Sequence, residues 1–72
     1  MATREFFEEA KEVIEEAGFD IDEVRSFMDR LRDSGIVNMY GSGEYLQRSF
    51  GFTRFDVKPI ILDYVNHGLE VE

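Results

Sequence analysis

Cysteine and tryptophan are missing from this chain, and proline and histidine occur once each. Without cysteine there is no disulfide framework and no zinc cluster of the thiolate type. A chain of 72 residues buries a modest fraction of its surface. Its stability must then come from dense packing or from self-association. With His67 as the single imidazole, the Glu-x-x-His pairs of carboxylate di-iron bundles cannot be written. No apolar run approaches the length that spans a bilayer. The opening MATREFFEEA is acidic and lacks the apolar stretch of a secretory signal. Positive charge is scarce too. Eight Lys and Arg face 16 Asp and Glu, for a net −8, which disfavours nucleic-acid phosphates and anionic membranes as partners.

Aromatic residues are plentiful: seven Phe and three Tyr supply large apolar areas for one small domain covering 1–72. The charge is unevenly spread. Residues 1–24 hold nine acids and two bases, residues 25–54 three and five, and residues 55–72 four and one. An acidic first segment thus precedes a mildly basic middle. The segments either neutralise each other within the fold or form two surfaces of opposite sign.

Apolar periodicity predicts an all-α fold, a compact bundle of about four short helices. Phe6, Phe7, Ala10, Val13, Ile14 and Ala17 make the stripe of a first helix, capped by Thr3 and ended by Gly18. Asp20 with Glu23 starts a second helix, whose stripe is Ile21, Val24, Phe27, Met28 and Leu31, closed by Ser34-Gly35. IVNMYGSG breaks the pattern and reads as a loop with apolar anchors, since no second strand is available to pair with it. Ser42 caps a third helix, GEYLQRSF, ended by Gly51, with Phe52 as an apolar clamp. The fourth helix has two possible starts. Thr53 with Asp56 resembles a capping box but leaves Pro59 past the first turn, where it loses a hydrogen bond and clashes, at about 3 kcal/mol. With Asp56 as cap, the missing N–H of Pro59 falls among the unpaired donors of the first turn. The expected helix therefore follows Asp56, with 53–55 as a tight turn. Its buried stripe is Val57, Ile60, Ile61, Tyr64 and Val65, and a short tail follows Gly68.

Motifs that carry chemistry fail on inspection. Asp20-Ile-Asp22 opens like a calcium loop, but Val24 and Arg25 stand where an oxygen ligand and Gly are required. Gly41-Ser42-Gly43 precedes a helix without the Lys or third Gly of a phosphate loop. Asp63 and His67, one turn apart, form at most a local pair, and no nucleophile or oxyanion site accompanies them. The Glu-rich first helix reads as a solvated face or as an acidic surface for a basic partner. No enzyme chemistry and no cofactor are expected. The last two helices, over 43–65, fit a helix-turn-helix loosely. The would-be reading helix offers only Arg54 and Lys58, beside Asp56 and Asp63, where DNA readers are usually basic.

The stretch LRDSGIVNMYGSGEYLQRSFGF, running on to ILDYV, resembles a family of small uncharacterised proteins found in tailed phages and marine viral sequences. Their recurring core reads roughly L-R-x-S-G-x-x-N-M-x-G-x-x-x-Y-L-x-x-x-F-G. Here that is Leu31, Arg32, Ser34, Gly35, Asn38, Met39, Gly41, Tyr45, Leu46, Phe50 and Gly51. The likeness covers about residues 27–65 and excludes the acidic first helix. It brings no activity with it. The family usually ends in a charged, Ala-rich helix, where this chain has Val57-Lys58-Pro59 and Tyr64.

These observations lead to a non-enzymatic protein-interaction module, a viral accessory or regulatory factor by the resemblance, with a helix-turn-helix nucleic-acid binder as the alternative. A cytoplasmic location is expected, the host cytoplasm if viral. So is a homodimer, with the first or fourth helix in its interface. The recognition segment is expected at residues 38–48, with Asn38, Tyr40, Tyr45 and Arg48 as candidate partner-binding residues, because loops on rigid scaffolds carry binding residues and Tyr and Arg dominate interface hot spots. Arg32 joins them as a residue of the recurring core that packing does not easily explain. The competing view is that Met39, Tyr40 and Tyr45 plug the core while Asn38 ties the loop down.

Overall fold

A computed structural model describes residues 5–35 and 38–70. Among them the expected stripes become four α-helices: α1 (Glu5–Glu16), α2 (Ile21–Ser34), α3 (Gly43–Phe50) and α4 (Arg54–His67), with a single 3₁₀ turn at Met39–Gly41. There is no strand among the described residues. The fold is an all-α bundle with a Cα radius of gyration of 11.1 Å, about the 11 Å expected of a packed chain this long. Thr3, Ile36 and Val37, which carried sequence expectations, lie outside the described residues, as does the side chain of Met39.

The helix ends follow local chemistry. Past α1, Gly18 takes a φ of +87°. Its N–H donates to the Glu15 carbonyl at 3.0 Å and that of Phe19 to the Ile14 carbonyl at 3.0 Å. This double closure needs a left-handed residue, which glycine supplies without a Cβ clash. Phe19 is thereby turned toward the core. α2 starts at Asp20, whose N–H donates to the Glu23 carboxylate at 3.4 Å. The other three helices also stop at left-handed glycines, Gly35, Gly51 and Gly68.

α4 begins three residues earlier than expected. Thr53 Oγ1 accepts from the Asp56 N–H at 3.1 Å, and Asp56 Oδ2 accepts from the Thr53 N–H at 3.2 Å. This reciprocal capping box satisfies two donors at once. It places Pro59 inside the helix, and Pro59 is buried there beside Phe6 and Val13 of α1. The capping box and the burial of the ring together outweigh the lost hydrogen bond on which the Asp56 start rested.

The core draws on every helix: Ala10 and Ile14, Val24 and Met28, Leu46, and Val57, Ile60, Ile61 and Tyr64. α4 lies at its centre, packed against α1 and α3, and buries residues on nearly every turn. Val65, expected within its stripe, is on the surface at 36% exposure. The tail is the opposite case. Leu69 is completely buried, with a φ of +57° that turns its side chain back into the core. Four phenylalanines form one cluster. Phe50 meets Phe19 and Phe27 edge-on at 4.8 and 5.2 Å between centroids and stacks on Phe52 at 5.5 Å. The cluster ties the α1–α2 turn, α2, α3 and the α3–α4 turn together, which is where over half of the chain's Phe is used.

The last two helices are joined by Gly51, Phe52 and Thr53 in a helix-turn-helix connection, with Phe52 and Leu46 buried at the corner. Gly43 makes the close approach between them. A Cβ there would lie 3.1 Å from Val57 Cγ2 and 3.2 Å from Ile61 Cδ1.

Candidate functional site

The segment 38–48 is shaped first by Asn38. Its Oδ1 accepts from the Tyr40 N–H at 2.9 Å, and its carbonyl accepts from the Gly41 N–H at 2.8 Å. The side chain thus mimics one arm of a turn, as Asn does at such positions, and folds the chain into the 3₁₀ turn. Tyr40, at the apex, points outward and is 65% exposed. This overturns its reading as an apolar anchor or core plug, because the turn that Asn38 enforces faces the ring away from the bundle. Ser42 precedes α3 as expected but is buried in the helical region (φ −75°, ψ −9°). Its side chain makes no capping bond, since an N-cap normally needs extended backbone for that reach.

Between this turn, α3 and α4 lies a groove of about 480 Å³. Its floor is apolar: Gly43, Val57, Ile61 and Leu62. The floor exists because Gly43 carries no side chain against α4. Tyr40 forms one rim, with Glu44 and Gln47, and Arg54 and Lys58 form the other. Glu44 is engaged by Arg48 at 2.7 Å, both exposed. Arg54 and Lys58 have no carboxylate partner among the described residues. The groove is therefore mildly cationic on a strongly acidic chain. It lacks Ser, Cys and His, the usual nucleophiles and proton shuttles.

The five candidate residues are not brought together. Tyr40 lines the groove and Asn38 holds the turn that presents it. Arg48 reaches the groove only through Glu44. Tyr45 is half-buried in α3. Arg32 belongs to another neighbourhood: its guanidinium lies 5.9 Å over the Tyr64 ring and 3.7 Å from Asp29. Tyr64 Oη donates to Asp29 Oδ1 at 2.5 Å. Burial, then this hydrogen bond and the Asp29 charge, push the Tyr64 hydroxyl up to about 12. Arg32 thus serves the α2–α4 contact. The groove residues outside the 38–48 segment, which sequence reasoning left out of the site, are Arg54, Val57, Lys58, Ile61 and Leu62. Val57 and Ile61 read as core, which they also are, and no periodicity separates a floor from a core.

Comparison with protein-family models, curated proteins and solved structures finds no match. Asp63 and His67 make no ion pair with each other: Asp63 is buried at 1% exposure and His67 faces outward. Among the described residues no three His, Asp or Glu side chains converge as metal ligands, and no helix is long and apolar enough to cross a membrane. The six glutamates of α1 are all exposed, as a solvated face requires.

Proposed function

We propose that this chain is a non-enzymatic protein-interaction module whose docking site is the groove between the 39–41 turn, α3 and α4. The observation that carries the reading is Tyr40: a large ring held out of the core by a dedicated turn, beside an apolar floor and two cations without carboxylate partners among the described residues. Aromatic and Arg side chains around a desolvated floor are the composition of interface hot spots. The resemblance of residues 27–65 to small phage proteins supports a viral accessory or regulatory role in a host cytoplasm. Self-association belongs to the same reading, since Phe6 and Phe55 are left exposed on so small a chain.

Affinity capture from host lysate tests the docking site. Wild type retains a partner, Tyr40→Ala and Lys58→Glu lose it, and both variants keep the wild-type helical circular dichroism. Equal capture by all three proteins contradicts the reading.

The second reading is a helix-turn-helix nucleic-acid binder. It is favoured by the exposure of Arg54 and Lys58 on the second helix of the pair. It is opposed by the burial of α4, which leaves few side chains free to reach base edges. A mobility-shift assay with duplex DNA separates the two, because phosphate binding weakens steeply as salt rises.

A further inference from the structure

On the opposite flank of α4 runs a second depression, of about 390 Å³, between α4 and α1. Its α1 wall carries three carboxylates, Glu9, Glu12 and Glu16, and its α4 wall carries Lys58. Beside Lys58, the Arg54 guanidinium lies 5.1 Å over the Phe55 ring. Each wall also carries an exposed ring, Phe6 on α1 at 41% and Phe55 on α4 at 74% exposure. The face therefore has an acidic half and a basic half, each with an exposed phenylalanine. A two-fold axis through the centre places the α1 wall of one copy against the α4 wall of the other, and each contact then forms twice. Glu9, Glu12 and Glu16 meet Arg54 and Lys58 of the second copy while Phe6 and Phe55 leave water. The spacing of three and four residues along α1 keeps the three carboxylates on one stripe, so the match extends along the helix.

We infer that this α1–α4 face docks a second copy of the chain as a two-fold dimer. The inference rests on the self-association proposed above and gives it a surface separate from the Tyr40 groove, with Lys58 shared at the border.

Sedimentation equilibrium of the full chain tests it with two charge-reversed variants, Arg54→Glu/Lys58→Glu and Glu9→Lys/Glu12→Lys. Wild type is expected at twice 8.4 kDa. Each variant alone is expected as a monomer, because like charges then face each other. Their equimolar mixture is expected as a heterodimer, because both contacts regain opposite charges. Phe55→Asp supplies a check independent of α1, since a ring this exposed does not hold the fold: its dimer should weaken about tenfold or more while its helical circular dichroism stays that of wild type. Tyr40→Ala should remain dimeric. A wild-type dimer untouched by the charge reversals and by Phe55→Asp overturns the face and leaves self-association standing. Folded charge-reversed variants that stay monomeric on mixing also overturn the face. A wild type that is monomeric at every concentration overturns both.

Discussion

Gly43 sits where α3 comes closest to α4, and its bareness does two things. It lets the helices touch and it leaves the groove its floor. Gly43→Ala forces Val57 and Ile61 aside by a few tenths of an ångström, and overpacking of this kind costs about 1–3 kcal/mol. Urea unfolding should show a lowered midpoint, with part of the loss offset by alanine's better helix propensity. Tyr64 makes a different residue-scale claim. Its hydroxyl ionises near 12 in the folded chain, above its ordinary 10.0. A folded-state value above the unfolded one means the contribution is fully present below pH 10 and is lost as pH rises from 10 to about 12. The stability difference between wild type and Tyr64→Phe should therefore shrink over that window, which thermal melts at stepped pH will read. Neither residue was legible as special in the sequence. Gly43 resembled a turn glycine, and the Asp29 partner of Tyr64 lies 35 positions away, beyond any local pattern.

The helices themselves were legible because their stop signals are local. A glycine that must be left-handed, followed by an apolar residue, marks the ends of α1, α3 and α4. The start of α4 was misread because two local rules conflicted there. The proline rule favours Asp56 as cap and the capping box favours Thr53, and burial of Pro59 against α1, a tertiary contact, decides between them. Thr53→Ala should accordingly lower stability by about 1 kcal/mol, as loss of an N-cap does. The burial of Leu69 was not legible for a related reason: a helix-ending glycine says where the helix stops and nothing of where the next residue goes. Since Leu69 is fully buried, Leu69→Ala should cost about 2–5 kcal/mol in chemical unfolding. Phe50→Ala should cost about 3–5 kcal/mol, because it removes the hub of the phenylalanine cluster.

At the scale of the molecule, a single central helix explains both what is buried and what is offered. α4 is packed by α1 on one flank and by α3 with the 39–41 turn on the other, and a depression borders each line of packing. The uneven charge read from the sequence maps onto this arrangement. The acids of α1 wall one depression, and Arg54 and Lys58 stand on the ridge between the two. The break in helical periodicity drew attention to residues 38–48, and the proposed groove borders that segment. Which of those side chains face the groove was not legible, since exposure of Tyr40 depends on a turn whose geometry only the Asn38 hydrogen bonds define. Arg32 was included as a residue of the recurring core that packing did not explain, and the fold places it on the far contact with Tyr64.

The docking account rests on Tyr40 being a surface side chain that recognises a partner, and the thermal stability of Tyr40→Ala tests that most directly. The account predicts a melting temperature within about 4 °C of wild type, since truncating a ring 65% exposed changes stability by about 0.5 kcal/mol or less. A drop matching a loss of about 3 kcal/mol or more, as for a buried aromatic, would show that the ring holds the fold together and would contradict the site.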